Sequence, residues 1–399
     1  MSRWFTCTPV EFGGGPDFFA RDSGLLSRGF RSLGVESRAV MPGPVRDDDE
    51  PDLIRTDFGN LESADWWASR KIDGLVLYAW GRPKFRKVAE AVRSAGIRLV
   101  LNQDSGGLVS PRAGFVDWWK EQCIVSGIGR VAGGTPRLVK QLTKEFTVGF
   151  FVSDRLRATH LAQGDWIAAV SPLAAERYRA YCGRFGNGLE ERVVFVPHPV
   201  DPRFTDDDSG KQERIVAIGR WDDERQKRTS MLIEVMDRLL VQDLEVEIDL
   251  VGSRGPALTE WHRGLGASLK ERVVLHGRKT SDEIAALLRP ARISYCPSAF
   301  ESFHIASAEA LCCGCTVVAG RSVSLASFEW FVSDGDGRQA ETNDAAGHLA
   351  ALKAELVDWR VGRRQPADIS SRWSARLHAP NVARRILDLF GEPHAGLAQ

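Results

Sequence analysis

The chain has no net charge, since Lys plus Arg and Asp plus Glu each number 53 among its 399 residues. This balance excludes a global field that would draw the whole molecule to nucleic acid or to an anionic membrane, and leaves only local patches. The sequence also lacks an apolar run of about eighteen or more residues, which a membrane-spanning helix needs. Its first ten residues lack a basic segment followed by an apolar core, so we expect neither a secretory leader nor an anchor there.

Cysteine is scarce and is not spaced as a disulfide framework. Seven cysteines, an odd number, predict free thiols in a reducing cytoplasm. Cys312, Cys313 and Cys315 are close in sequence, but no second Cys or His pair completes four metal ligands, so we interpret them as small buried apolar residues. No Asp-x-Asp stands out at a strand end either. We therefore predict no bound metal and no tightly bound cofactor.

Short buried segments alternate with amphipathic helices along the whole chain. The first half contains predicted strands at residues 4–10, 35–41, 72–79, 97–101, 166–170 and 193–196. The second half restarts the alternation with strands at residues 214–218, 244–251, 273–275, 293–296 and 316–318. This rhythm predicts an α/β fold with two Rossmann-like, doubly wound domains that face each other across a cleft.

The domain boundary is expected where the polar stretch 205–211 follows the last strand of the first half. We predict an N-terminal Rossmann-like domain at residues 1–199 and a C-terminal one at residues 200–380. Residues 381–399 would form a helix and tail that can pack back on the N-terminal domain.

The stretch 298–320 has the pattern of loop, helix, glycine stop and buried strand. A helix N-terminus presents unpaired N–H groups, so the backbone there can bind an anion such as phosphate; the candidate donors are Ser302, Phe303, His304 and Ile305. Glu301 and Glu309 would lie roughly 10–12 Å apart at a rise of ~1.5 Å per residue. That is too far for a glycosidase acid/base pair but suits the two ends of one elongated ligand. Two solvated carboxylates are the alternative.

Further candidate residues follow other predicted strands. Arg220 and Lys227 come after strand 214–218, and two cations with a helix N-terminus make a site for a diphosphate. Gly14 and Gly15 follow the first strand and allow a ligand to approach the backbone, although a plain turn has the same composition. Asp104 follows strand 97–101, where open α/β sheets bind ligands, or it caps a helix.

A basic and aromatic stretch begins at Trp118 in a segment predicted to be helical. Trp119 and Lys120 follow directly, and Arg130, Arg137 and Lys140 come later. A face of this composition can meet an acceptor or a membrane surface, and a solvated helix face is the alternative.

Several of these motifs together resemble one known family. Glu301 and Glu309 fit the E-x7-E signature of retaining glycosyltransferases of the GT-B fold, family 4 (glycosyl transferases group 1). The resemblance extends to four shorter motifs, which are G-R-W at 219–221 with Lys227 eight residues after Gly219, V-G-S-R-G at 251–255, H-G-R at 276–278 and V-P-H-P-V-D at 196–201. It is good for about residues 165–390 and thin before them.

The resemblance implies a metal-independent glycosyltransferase that moves a sugar from a UDP- or GDP-linked donor to an acceptor hydroxyl with retention of anomeric configuration. The donor would bind the C-terminal domain. The acceptor, a carbohydrate, a lipid-linked or another hydroxyl compound, would bind the N-terminal domain. No nucleic-acid partner is implied. The location would be cytoplasmic, including the inner membrane face.

The resemblance also implies roles for single residues. Arg220 and Lys227 would hold the diphosphate and stabilise the leaving group, while Glu301 would contact the sugar hydroxyls and Glu309 the ribose. The remaining donor-binding candidates are Gly14 and Gly15 approaching the diphosphate, Gly219 and Gly252, Gly277 and Arg278 near the base, and the backbone of Ser302, Phe303, His304 and Ile305.

Two departures from the family pattern leave alternatives open. The family usually has Gly where this chain has His304, and many members have His where it has Asp104. Asp104 can accept a hydrogen bond from a hydroxyl but cannot donate one to the sugar. A catalytically inactive nucleotide-sugar-binding protein is one alternative function. A sugar-nucleotide epimerase or a phosphorylase on the same fold is another.

Overall fold

The structure, a computed structural model, describes residues 2–243 and 245–391. These residues form two compact units. The first comprises the described residues up to Trp119, Val139–Asp201 and the described residues from Arg376 on, and the second comprises Lys120–Leu138 and Pro202–Ala375.

The first unit is built on a seven-stranded sheet in which every neighbouring pair is parallel. Its strands are β1 Trp4–Cys7, β2 Ala39–Pro42, β3 Leu53–Thr56, β4 Gly74–Tyr78, β5 Arg98–Gln103, β6 Trp166–Ala169 and β7 Val193–Phe195. They lie in the order β3-β2-β1-β4-β5-β6-β7. Strand β1 pairs with β2 and β4 through Thr6↔Ala39 and Trp4↔Gly74. The central strands are buried on both faces, which explains their nearly continuous apolar sequences.

The second unit repeats this plan with six parallel strands. They are β8 Gln212–Arg220, β9 Glu247–Ser253, β10 Val273–Gly277, β11 Ala291–Cys296, β12 Thr316–Ala319 and β13 Gly337–Gln339. Their order is β10-β9-β8-β11-β12-β13. The two doubly wound parallel sheets confirm the predicted α/β fold class.

Helices connect the strands throughout. Up to residue 201 they are α1 Pro16–Phe19, α2 Asp22–Ser32, α3 Phe58–Leu61, α4 Ala64–Ser69, α5 Arg86–Ser94, α6 Phe115–Ser126, α7 Gly134–Lys144, α8 Asp154–Leu161 and α9 Pro172–Cys182. A π-helix at Glu145–Ser153 joins α7 to α8. None of the helices in the described ranges is long and apolar enough to span a bilayer.

The later helices complete the described chain. They are α10 Glu224–Lys227, α11 Thr229–Gln242, α12 Pro256–Gly264, α13 Ala267–Arg272, α14 Ser281–Leu288, α15 Ile305–Cys312, α16 Phe328–Phe331, α17 Ala345–Arg360, α18 Pro366–Leu377 and α19 Ala379–Asp388. Helix α19 belongs to the first unit, where Val382 and Ile386 share a core with Trp4 and Leu26. Residues 392–399 of the predicted tail lie outside the described part of the chain.

Each sheet reverses its strand order at one point, between β1 and β4 in the first unit and between β8 and β11 in the second. At such a point the connections leave on opposite faces and open a crevice at the carboxyl ends of the two strands. Ligands of open α/β sheets bind in this crevice, so the loops after these four strands are the candidate positions of a binding site.

Local predictions failed where tertiary contacts decide the conformation. Strands β3 and β13 were not predicted, because one is half-exposed at the sheet edge and the other holds no β-branched residue. Helices α1 and α2 are separate, since Asp22 at the start of α2 has a left-handed φ of 49°. Trp118 is buried at 2% exposure, so the expected aromatic face does not include it.

Candidate functional site

A buried ion pair lies at the switch point of the second sheet. Lys227 ends α10, which Asp223 caps by accepting a hydrogen bond from the Gln226 N–H. The Lys227 ammonium lies 2.5 Å from Glu301 Oε1, and the two side chains are only 11% and 10% exposed. Burial alone raises the pKa of Glu301, but the nearby His304 and Lys227, together with hydrogen bonds from Lys227 and Ser298, bring that pKa below its ordinary value. The Glu301 carboxylate is therefore ionised.

Gln226 extends this pair towards solvent. Its side-chain N–H₂ donates to Glu301 Oε2 at 3.2 Å, and its oxygen accepts a hydrogen bond from Arg220 at 2.9 Å. Arg220 ends β8 and its side chain is 67% exposed. The predicted residues Arg220, Lys227 and Glu301 are thus brought together, and the exposed guanidinium also pairs with Asp223 at 3.6 Å. Gln226 was not among the predicted residues, and the only signal for it in the sequence was its position beside Lys227.

His304 occupies a strained position just before α15. It is the N-cap residue with φ 64° and ψ 75°, a left-handed conformation that glycine adopts without cost and other residues at about 1 kcal/mol or more. Its Nδ1 lies 2.8 Å from Ser307 Oγ, and its Nε2 lies 3.6 Å from Cys296 Sγ. Burial lowers the pKa of His304 to about 4, so the imidazole is neutral at physiological pH. With His304 as its N-cap, helix α15 begins at Ile305, three residues after the start at Ser302 that the sequence predicted.

The other candidates of the second unit lie at the same end of the sheet, where the strands have their carboxyl ends. Gly252 has φ 120°, and an added Cβ would lie 1.8 Å from the carbonyl oxygen of Gly219. This pair of glycines lets β8 and β9 end in close contact. Gly277 ends β10, which lies two strands away from β8, and Arg278 follows it. Four further candidates belong to the segment around the start of α15, with Phe303 buried at 1% exposure; they are Ser302, Phe303, Ile305 and Glu309.

A cavity of about 550 Å³ lies at the switch point of the first sheet. It is lined by residues that follow β1 and β4 and by the first residues of α1 and α2, namely Thr8, Phe12, Gly13, Gly15, Pro16, Asp17, Phe18, Arg21, Asp22, Ser23, Asp48, Tyr78 and Trp80. The two predicted glycines differ, because Gly15 lines the cavity whereas a Cβ on Gly14 would meet Asp49 and Leu53. Gly14 is required for packing.

Asp104 contacts a buried histidine beside this cavity. His198 Nε2 lies 3.2 Å from Asp104 Oδ1, and its Nδ1 lies 3.7 Å from Asp22 Oδ1. Tyr78 stacks on the imidazole with centroids 6.1 Å apart. Burial lowers the pKa of His198, but the two carboxylates outweigh burial and the net pKa is raised. In the sequence, His198 stood out only as part of a motif. Its contacts with Asp104 and Asp22 were not predicted, because the three residues are distant in sequence.

Backbone strain is concentrated at both switch points. Seven non-glycine residues of the described chain have a positive φ. Asp22 and Trp80 are two of them and line the first cavity, while Arg228 directly follows Lys227 and His304 caps α15. Such conformations persist only where the surrounding structure imposes them, and they cluster at functional sites. They therefore support both crevices as candidate sites.

Part of this chain matches a known protein family. Residues 212–358 match the family Glycosyl transferases group 1. A curated relative, MMP alpha-(1->4)-mannosyltransferase of Mycolicibacterium hassiacum, is 31% identical over 213 residues, or 52% of this chain. The chain therefore spans about half the length of the curated relative that it matches.

Solved structures match nearly the whole chain. Anabaena Alr3699/HepE in complex with UDP has a TM-score of 0.64 and 14% identity, and the alignment covers 98% of this chain and 99% of that one. The lipopolysaccharide outer core galactosyltransferase WaaB has a TM-score of 0.61 and 12% identity, with coverage of 97% and 99%. The chain has the GT-B fold of these glycosyltransferases, and its residues 212–358 carry the match to the glycosyl transferases group 1 family.

Proposed function

We propose that this protein is a glycosyltransferase that transfers a sugar from a UDP- or GDP-linked donor to an acceptor hydroxyl with retention of configuration. The observation that carries the proposal is the assembly of Arg220, Gln226, Lys227 and Glu301 at the β8/β11 switch point, inside the stretch that matches the family. The HepE structure contains UDP, which makes a UDP-sugar the first donor to try.

In the proposed reaction the donor diphosphate lies against Arg220 and Lys227. As the bond between the sugar and the diphosphate breaks, these two cations stabilise the negative charge on the leaving group without a metal ion. Glu301 orients the sugar through its hydroxyls and, because Lys227 keeps it ionised, acts only as a hydrogen-bond acceptor. Glu309 would contact the ribose, and the backbone at Gly277 and Arg278 the base. The acceptor attacks the face from which the diphosphate leaves, which retains the configuration.

The cavity of the first unit suits a polyhydroxylated acceptor. Aromatic rings of Phe12 and Trp80 offer stacking surface for a sugar ring, and the carboxylates of Asp17, Asp22 and Asp48 accept hydroxyl hydrogen bonds. Asp104 and His198 would hold Asp22 in place. Acceptor binding by this unit is part of the proposal, as are the domain boundaries near residues 199 and 380.

The first experiment is a thermal-shift screen of UDP-, GDP-, ADP- and CMP-sugars. A donor at about 100 times its dissociation constant stabilises the folded protein by ~2.7 kcal/mol. Transfer with the donor found should fall at least about 100-fold in kcat/KM for Lys227→Ala and for Glu301→Ala, the usual loss for removal of one preorganised electrostatic group. The exposed Lys270→Ala, in α13 of the same unit, is the matched control. Normal turnover in both variants would refute the proposal.

Two finer parts of the proposal need their own measurements. Nuclear magnetic resonance of the first product gives its anomeric configuration, and an inverted product contradicts retention. Activity should persist after dialysis against a chelator, because Arg220 and Lys227 supply the positive charge at the diphosphate. A requirement for added Mg²⁺ or Mn²⁺ contradicts that part.

A catalytically inactive nucleotide-sugar-binding protein is the second candidate. The strained His304 where the family has glycine favours it. Donor binding by calorimetry without turnover against any acceptor extract would support this candidate. Turnover of the donor without an acceptor would instead indicate an epimerase, and turnover that requires phosphate would indicate a phosphorylase.

We also propose a cytoplasmic location with peripheral contact to an anionic membrane. The segment 139–156 exposes apolar side chains that include Phe151 at 68%, and its exposed charged residues are all basic: Lys140, Lys144 and Arg155. This combination is typical of membrane-surface segments. Sedimentation with anionic but not with neutral vesicles tests it, and Phe151→Ser should weaken it. The exposed Phe58→Ser in another part of the unit is the control.

A further inference from the structure

Three side chains between β11 and α15 have the geometry of a metal site. Cys296 ends β11, and Glu301 and His304 follow on the loop that leads to α15. The Cys296 sulfur, a Glu301 oxygen and a His304 nitrogen all lie within 4.8 Å of one another. The ligand atoms of a single ion with bonds of about 2.0–2.3 Å lie within about 4.6 Å of one another, which is close to this spread. No other group of this kind occurs among the described residues.

The distance between the sulfur and the nitrogen fits one class of ion. Zinc binds Cys sulfur at about 2.3 Å and His nitrogen at about 2.0–2.1 Å, so a tetrahedral ion separates these two atoms by about 3.6 Å. The distance from Cys296 Sγ to His304 Nε2 is 3.6 Å. Thiolate and imidazole together favour zinc and similar ions over Mg²⁺ or Ca²⁺.

A neighbouring hydrogen bond orients the histidine as metal ligands usually are. Ser307 Oγ lies 2.8 Å from His304 Nδ1, and in the tautomer with the proton on Nδ1 this hydroxyl accepts a hydrogen bond from it, which leaves the lone pair of Nε2 directed at Cys296. The left-handed backbone of His304 holds the ring in this position.

We propose that Zn²⁺ binds Cys296 Sγ, His304 Nε2 and the Glu301 carboxylate, and that it inhibits the donor site by taking Glu301 from Lys227. On binding, the Cys296 thiol releases its proton to solvent and forms the S–Zn bond, while the Lys227 ammonium loses its 2.5 Å contact with Glu301. A carboxylate held by the ion is no longer in place for the sugar. The inhibitory consequence rests on the proposed function, whereas the binding itself does not.

Metal binding is measured without any sugar donor. Cobalt(II) replaces zinc in such sites, and a Cys ligand gives it a thiolate-to-metal charge-transfer absorption. We expect this band in the wild type and in Cys123→Ser, which removes the partly exposed thiol, and its loss in Cys296→Ser. Zinc affinity, from competition with a chromophoric chelator, should drop at least tenfold in Cys296→Ser and roughly 10- to 100-fold in Ser307→Ala.

Two results would overturn the proposal. One is a cobalt spectrum of the wild type without the thiolate band, which needs no variant to fold. The other is wild-type zinc affinity in a Cys296→Ser protein whose circular dichroism and melting temperature are native.

Inhibition is tested separately once a donor is known. Zinc at its measured dissociation constant should halve transfer by the wild type and by Cys123→Ser but not by Cys296→Ser, with recovery on adding chelator. Zinc binding without inhibition of an active enzyme would overturn the inhibitory part. A protein that binds zinc and transfers no sugar would overturn the proposed function and leave the metal site standing.

Discussion

At the scale of single residues, the contacts of Lys227 and Glu301 define the candidate donor site. Each is charged and nearly buried, so each depends on the other. Such a pair contributes little relative to apolar residues of the same size, but breaking it leaves one buried charge without a partner. The pair therefore couples the stability of the second unit to the integrity of its site.

We expect Lys227→Ala to lower the free energy of unfolding by about 3 kcal/mol, because the Glu301 carboxylate is left buried without its counter-charge. The double variant Lys227→Ala/Glu301→Ala should recover part of that loss. Urea denaturation measures both. Arg238→Ala, which breaks the exposed pair with Glu234, is the control and should cost less than about 1 kcal/mol. Equal losses at the two positions would contradict the interpretation.

His198 makes stability depend on pH. Its folded pKa lies above its ordinary value of 6.5 because Asp104 and Asp22 outweigh burial. The folded state therefore binds this proton more tightly, so the stabilisation is complete below pH 6.5 and is lost as pH rises through the raised folded pKa. In denaturant titrations, the stability difference between the wild type and His198→Gln should shrink across this window.

The comparison with His198→Gln removes the effect of other histidines. Burial lowers the pKa of His160, His304 and His348 to about 4, so their effect has the opposite sign and falls between pH 4 and 6.5. It is common to both proteins and cancels in the difference. A difference that grows above pH 6.5 would show that His198 is neutral in the folded state.

At the scale of secondary-structure elements, the sites depend on how strands end. Strand β8 ends in Gly219-Arg220 and β9 ends near Gly252, and these two strands touch through their glycines. Strand β11 ends at the same end of the sheet, and the chain after it passes through Glu301 to α15. Two of the strained residues, Arg228 and His304, lie in these turns, directly before α11 and α15.

Gly252→Ala should lower the free energy of unfolding by about 2 kcal/mol or more. Its Cβ would lie 1.8 Å from the backbone oxygen of Gly219, and its φ of 120° is unfavourable for any residue with a side chain. Gly264→Ala is a matched control, since a Cβ there meets nothing within 4 Å. The melting temperature by calorimetry distinguishes the two, and an unchanged value for Gly252→Ala would mean that the strand ends can separate.

At the scale of the whole molecule, the chain forms two units and its last described helix belongs to the first. Helix α19 packs its apolar side chains, including Val382 and Leu387, into the core that contains Trp4 and Phe30. Its partner helix α2 approaches closely, because a Cβ on Gly29 would lie 2.4 Å from the carbonyl oxygen of Ala379. Residues near both ends of the described chain therefore contribute to one core of the first unit.

Ile386→Ala should destabilise the first unit by roughly 2–5 kcal/mol, as removal of a buried isoleucine side chain leaves a cavity. Val361→Ala, at a site that is 58% exposed, should change stability by less than about 0.5 kcal/mol. Chemical denaturation followed by tryptophan fluorescence reports the change. Similar effects of the two substitutions would contradict the packing of α19.

The sequence by itself determined the two doubly wound sheets and singled out Arg220, Lys227 and Glu301 as candidates, because strand periodicity and strand-end polar residues are local signals. It did not determine the partners of those residues. Gln226 between Arg220 and Glu301, Cys296 against His304, and His198 between Asp22 and Asp104 depend on contacts between segments distant in sequence. The left-handed backbone of His304 and Asp22 is likewise imposed by packing, since even Asp and His, which adopt it more often than most residues, do so uncommonly. Tertiary structure alone decided how these groups pair, because parallel strands bring their ends together only after the sheet has formed.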